Sequence, residues 1–123
     1  MKREVKLALP HSIVMVMDKV SGNPPTTFAG NLIASTATCV AVGAMSEYDG
    51  ETTLLFADED DPQITSLGYL AFDGLVEVQG KEISLVTALN QPLSSLPVQG
   101  GHTRVRVWVN DMSEPNRIGI VIG

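Results

Sequence analysis

The sequence predicts an all-β fold, namely an antiparallel β-sandwich of about eight strands with at most one short helix. Short apolar runs rich in Val, Ile and Thr recur along the 123 residues, and Gly, Pro and Asp separate them. No window longer than about ten residues keeps the period of an α-helix. The chain has the length of one domain, so we expect a single β-sandwich domain over residues 1–123.

The run at 103–110 alternates most clearly. Its valines share one face of the predicted strand, and the other face carries Arg104, Arg106 and Trp108. The run at 12–18 is apolar on both faces, so we expect it at the centre of a sheet or against a partner. The candidate strands are residues 3–9, 12–18, 35–43, 51–57, 68–73, 75–79, 82–88, 103–110 and 117–122.

Turn residues support these boundaries. Asp49-Gly50 and Asp73-Gly74 each lie between two candidate strands and predict tight hairpin turns, because they supply the positive φ angles that such turns need. Residues 21–34 form the longest irregular stretch, and Pro24-Pro25 excludes ladder hydrogen bonds there. We expect the one short helical turn at 27–34 or at 88–95.

The chain is acidic, and its charge is uneven. Fourteen Asp and Glu against eight Lys and Arg give a formal net charge of -6. Residues 46–82 hold ten of the acids and a single base, Lys81, so this segment carries -9. Binding of nucleic-acid phosphates needs a basic surface, so the acidic balance argues against it. The charge of the chain suits a basic protein partner instead.

The densest acidic point is the run Asp58, Glu59, Asp60 and Asp61 at the end of a predicted strand. Three interpretations are open. The run is a solvated loop that discourages edge-to-edge strand pairing, a patch that binds a basic partner, or a calcium site built from carboxylates. The run lacks the Gly and the distal Glu of a helix-loop-helix calcium loop, so we predict no bound metal.

The outward face of the strand at 103–110 is the second candidate surface. In the simpler interpretation, arginine stems cover an exposed sheet and stack on the indole. The alternative is a binding surface, because Arg and Trp are enriched at interface hot spots, and a single tryptophan with a net negative charge disfavours single-stranded nucleic acid. The predicted partner-binding residues are Asp58, Glu59, Asp60, Asp61, Arg104, Arg106 and Trp108.

No constellation of residues indicates catalysis. His11 and His102 lie at predicted strand ends, and the adjacent Ser12 points to the opposite face from His11. Cys39 is the only cysteine and lies in an apolar run, so we predict a buried thiol and no internal disulfide. We therefore predict a non-enzymatic protein without catalytic residues or a cofactor. No apolar run reaches the roughly 18 residues of a membrane span, and we expect a cytoplasmic location.

The arrangement resembles the competence protein J family of small bacterial nuclease inhibitors. The resemblance covers residues 12–122 and rests on the early strand 13–18, the loop with Pro24-Pro25, the small-residue strand 36–43, and Leu96-Pro97 followed by the alternating run 100–107. Immunity-type proteins that neutralise bacterial toxins look similar. The resemblance implies a protein that binds a nuclease or toxin and blocks its active cleft.

The residues leave two other functions open. In the first, the protein is a homodimeric assembly domain in which the strand 12–18 or the run 118–122 pairs across two copies. In the second, it is a β-domain that binds a small ligand or a metal.

Overall fold

Ten β-strands build the molecule, and the computed structural model describes every residue from Met1 to Gly123. Two turns of 3-10 helix, at Pro10–Ser12 and Glu47–Asp49, and one four-residue helix, α1 (Pro62–Thr65), lie between strands. None of these helices is long and apolar enough to cross a membrane. The strands are β1 (Lys2–Leu7), β2 (Ile13–Asp18), β3 (Ile33–Ser35), β4 (Cys39–Gly43), β5 (Thr52–Ala57), β6 (Tyr69–Glu77), β7 (Glu82–Thr87), β8 (Pro92–Pro97), β9 (His102–Val109) and β10 (Arg117–Ile122).

The strands form two five-stranded sheets that pack face to face. Sheet A has the order β1-β5-β10-β9-β6, and sheet B has the order β3-β4-β2-β7-β8. Every neighbouring pair is antiparallel except β10 with β5, which is parallel. The predicted two-sheet β architecture is therefore confirmed, with ten strands instead of about eight and with one parallel pair.

Alternation along the strands fills the space between the sheets. A cluster of 19 buried apolar residues includes Val14 and Val16 from β2 and Leu54 and Phe56 from β5. The three valines of β9 belong to the same cluster, whereas the arginines and the tryptophan of β9 lie on the outer face of sheet A. The alternation predicted for this strand is confirmed.

β2 lies at the centre of sheet B, between β4 and β7. Its outward side chains Met15 and Met17 are buried with Cys39, and Phe28 of the long loop 19–32 packs against them. β10 is likewise internal, because β5 and β9 flank it. Neither strand has a free edge, so the expected pairing of 12–18 or 118–122 across a homodimer is wrong.

The two Asp-Gly dipeptides do not close hairpins. Asp73 and Gly74 both pair with β9, so the predicted strands 68–73 and 75–79 are the single strand β6. The ring of Phe72 packs over Gly74, which explains a glycine there without a turn. Gly50 has a φ of 133°, but the connection that contains Asp49-Gly50 carries the chain from sheet B to sheet A.

The sequence does not predict β8, where the expected helical turn at 88–95 is wrong. β8 begins and ends with proline and contains two serines, so its sequence lacks the apolar pattern of a strand. It nevertheless pairs with β7 and forms an edge of sheet B. No helix forms at 27–34 either; the short helix is α1, in the acidic segment. The predicted strand 35–43 is divided, because the chain reverses at 36–38 between β3 and β4.

Candidate interaction surface

The acidic run forms the loop between β5 and α1. Asp61 caps the helix, because its carboxylate accepts a hydrogen bond from the Gln63 backbone N–H at 2.8 Å. Ile64 of α1 is fully buried on the outer face of sheet A, directly over Gly119. A side chain at Gly119 would collide with Ile64. The glycine therefore lets α1 lie flat on the sheet, which holds the acidic loop in one position.

Strand β1 pairs with two carboxylates of this loop. Because β1 and β5 are antiparallel, the first residues of β1 lie beside the end of β5, where the loop starts. The N-terminal ammonium donates to Asp58 at 2.7 Å, and this hydrogen bond lowers the pKa of Asp58. Lys2 Nζ lies 3.3 Å from Asp61. These two negative charges are therefore balanced within the molecule.

Strand β9 supplies the third ion pair of the loop. The Arg106 guanidinium contacts the Asp60 carboxylate, and the Arg106 side chain is 16% exposed against 68% for Asp60. Arg104 forms a bidentate pair with Asp73 of β6, at 2.8 and 2.6 Å, which lowers the pKa of Asp73. Glu59 is the one acid of the run that is in no ion pair.

Trp108 completes this side of sheet A. Its half-buried side chain packs against a small apolar cluster that includes Ile64. The two surfaces predicted separately from the sequence are therefore one surface, joined by the contact between Asp60 and Arg106. We call it the paired-charge face. It comprises Asp58, Glu59, Asp60, Asp61, Asp73, Arg104, Arg106 and Trp108.

Of the five remaining acids of the segment 46–82, Glu77 lies on the outer face of β6, four residues beyond Asp73, and the other four lie away from the paired-charge face. Glu47, Asp49 and Glu51 precede β5, whereas the acidic run follows it, and six extended residues span about 20 Å. Glu82 lies on sheet B and pairs with Lys19 at 2.6 Å. The negative charge of the segment is thus divided between opposite ends of the sandwich, which composition alone does not reveal.

The groups with chemical reactivity are dispersed. The rings of His11 and His102 make no hydrogen bond to a carboxylate. Cys39 is buried, and burial raises the pKa of its thiol to about 12, so the thiol stays protonated and unreactive. No group of three or more His, Cys, Asp or Glu side chains is placed to hold a metal ion.

The structure thus defines a small two-sheet β protein with a charged, mostly ion-paired surface. Its sequence matches no protein-family model and no curated protein. Its fold is similar to the crystal structure of ComJ, inhibitor of the DNA degrading activity of NucA, from Bacillus subtilis, with a TM-score of 0.65 and 13% identity over 98% of this chain and 92% of that one. It is also similar to the solved structure of Crocagin biosynthetic gene J, with a TM-score of 0.54 and 11% identity over 98% and 94% of the two chains. The resemblance to the competence protein J family is confirmed in the fold.

Proposed function

We propose that this chain is a non-catalytic protein that binds and inhibits a nuclease or a nuclease-type toxin. The observation that supports the proposal is the likeness in fold to ComJ over 98% of the chain, because ComJ is an inhibitor of the DNA degrading activity of NucA. The buried Cys39 thiol offers no accessible nucleophile. A free thiol also suits a reducing compartment, so we place the inhibitor in the cytoplasm.

The paired-charge face is the contact surface in this proposal. Its ion pairs hold long side chains in fixed positions before the partner arrives, which lowers the entropy lost on binding. Trp108 and the two arginines are residue types that dominate binding energy at interfaces. The short helix α1, fixed by Ile64, adds a rigid edge beside them.

Charge explains why a nuclease is a suitable partner. The cleft of a nuclease is basic, because it holds nucleic-acid phosphates. Glu59 carries a free negative charge, and Asp60 remains 68% exposed although it is paired. We propose that these two carboxylates occupy phosphate positions in the partner's cleft. Such contacts mainly accelerate association and weaken as salt rises.

Inhibition of DNA cleavage tests the proposal. A fluorescent DNA substrate is incubated with a panel of basic bacterial nucleases, including NucA of Bacillus subtilis, with and without the protein. We expect at least one nuclease to be inhibited stoichiometrically. The double variant Asp60→Lys with Asp61→Lys should weaken that inhibition by about tenfold or more, because it places positive charge against a basic cleft.

A matched control is Asp49→Lys with Glu51→Lys, which makes the same change in net charge at the opposite end of the sandwich from the acidic loop. The control should inhibit like the wild type. If no nuclease on the panel is slowed, nuclease inhibition is contradicted. If both double variants lose inhibition equally, net charge matters but the paired-charge face is not the contact surface.

A further inference from the structure

Four strands lie at the edges of the two sheets, and three of them are protected against pairing with another chain. β1 carries four charged side chains in six residues, β3 has only three residues, and β8 begins and ends with proline. Charge, shortness and proline are the features by which proteins prevent pairing at sheet edges.

β6 is less protected than these three, although a bulge between Leu70 and Phe72 interrupts its pairing with β9 and it carries Asp73 and Glu77. It is nine residues long and contains no Pro, Lys or Arg. Tyr69, Leu70 and Leu75 are 52%, 46% and 68% exposed along it. The Glu77 backbone N–H donates to the Ala37 carbonyl at 2.8 Å, so this end of the strand edge is not available to another chain. The free edge therefore runs from Tyr69 to Leu75.

An apolar groove opens between β6 and the short edge strand β3. Phe72 and Ile33 line its two sides, with Leu32 and Met112 between them, in a volume of about 340 Å³. Leu32 and Met112 also line a second hollow of about 430 Å³, which continues the groove as far as Phe28. A groove bounded by two unpaired strand edges fits an extended peptide, whose backbone pairs with an edge while alternate side chains enter the groove.

The acidic side chains around this groove have no cationic partners. Asp111 and Glu114 flank the two groove-lining residues of the loop between β9 and β10. Glu47, Asp49 and Glu51 follow the groove-lining Ala44 along the chain, at the same end of the sandwich. None of the five acids is in an ion pair, in contrast to the acidic loop at the opposite end.

Basic side chains are scarce at this end. Lys6 and Arg117 are the two present, and both lie on the outer face of sheet A beside Thr53. Five unpaired acids against two bases give this end of the molecule a negative potential. The potential is complementary to Lys and Arg on a bound segment.

We propose that the free edge of β6 and the adjoining groove bind an extended, cationic segment of another protein, which adds a strand to sheet A. The backbone edge supplies hydrogen bonds, the groove accepts apolar side chains, and the unpaired acids attract basic ones. This site shares β6 with the paired-charge face, but the groove is lined by Phe72, whereas Asp73 turns to the outer face of sheet A. The site requires no nuclease as the partner.

Short peptides test the site directly. The probe is a fluorescein-labelled octapeptide of alternating lysine and valine, and the counterpart replaces lysine with glutamate. A third peptide is the lysine form with every second backbone nitrogen methylated, which removes the N–H groups needed for strand pairing. By fluorescence anisotropy we expect the lysine peptide alone to bind, and its affinity should fall by about tenfold as salt is raised to about 0.5 M.

Backbone amide NMR spectra locate the bound lysine peptide. We expect shift changes along Tyr69–Leu75 and at Met112. The variant Leu70→Lys, which places a positive charge on the free edge, should weaken binding by about tenfold. The matched control is Leu89→Lys, because Leu89 is 65% exposed on the turn between β7 and β8.

Several results would overturn the proposal: no binding, equal binding of the methylated peptide, or shift changes centred on the acidic loop 58–61. Concentration-dependent dimers that Leu70→Lys abolishes, without peptide binding, would assign the edge to a second copy of this chain instead. These outcomes are independent of the DNA cleavage assay, so either proposal can fail while the other stands.

Discussion

Replacing Asp18 by asparagine tests how this sandwich fixes its loops. Asp18 ends β2, is 1% exposed, and accepts four hydrogen bonds. The donors are the backbone and hydroxyl groups of Ser21 and the backbone N–H groups of Gln79 and Gly80, the backbone donors lying at 3.0–3.1 Å. Burial by itself would raise the pKa of this carboxyl. The hydrogen bonds outweigh burial and lower the pKa to about 2.

The lowered pKa sets the size and the pH dependence of the effect. The ordinary value for Asp18 is 3.8, and the difference from about 2 corresponds to about 2 kcal/mol of folding free energy. A lowered folded-state pKa contributes stability that is complete above 3.8 and is lost as the pH falls toward 2. Asparagine also turns an NH₂ group toward N–H donors. We therefore expect Asp18→Asn to lose about 3 kcal/mol near neutral pH.

Urea unfolding at neutral pH and at several values down to about pH 2.5 measures this effect. The stability difference between wild type and Asp18→Asn should shrink as the pH falls below about 4. The matched control is Glu82→Gln, which removes a partly exposed ion pair with Lys19 and should cost less than about 1 kcal/mol at neutral pH. A difference that does not change with pH, or an NMR titration that places the pKa of Asp18 near 3.8, would refute the reasoning.

The remaining predictions concern β10, α1 and the thiol. Ending the chain at Asn116 removes β10 from between two strands, so we expect no cooperative melting by circular dichroism; an unchanged Tm would contradict this. Gly119→Ala forces a methyl group against Ile64 and should destabilise by about 2 kcal/mol in urea unfolding, whereas Gly101→Ala, which meets open space, should stay within about 0.5 kcal/mol. Cys39 should react with Ellman's reagent only after unfolding, because it is buried and its pKa is raised to about 12; rapid reaction of the folded protein would show an accessible thiol.

The strands with strong alternation or continuous apolar character are predictable from the sequence. β9 shows strict alternation and β2 is apolar on both faces, and both occupy the positions that those patterns predict. β8 is not predictable in this way, because a proline-flanked edge strand lacks both patterns. β8 forms because it pairs with β7, and β7 is itself held in place by Ile83 and Leu85, which are buried in the core.

The composition of the paired-charge face is predictable, but its internal pairing is not. Outward arginines follow from alternation on β9, and the acidic run is plain in the sequence. The contact between Asp60 and Arg106 exists because β10 inserts between β5 and β9, which brings residues 46 apart in sequence together. Sequence patterns indicate which face a side chain occupies but not which strands are neighbours.

The position of β10 has a consequence for how this protein emerges from the ribosome. β10 is the last of the ten strands to be synthesised, yet it lies inside sheet A and is the strand that connects β5 to β9. Until β10 is synthesised, β5 and β9 each expose an edge whose backbone hydrogen-bonding groups are unpaired. Folding of sheet A must therefore wait until β10 has been synthesised and then proceed through long-range contacts, which is slow. A chaperone that shields those strands during translation would raise the yield of this protein more than it would for a fold whose last strand lies at an edge.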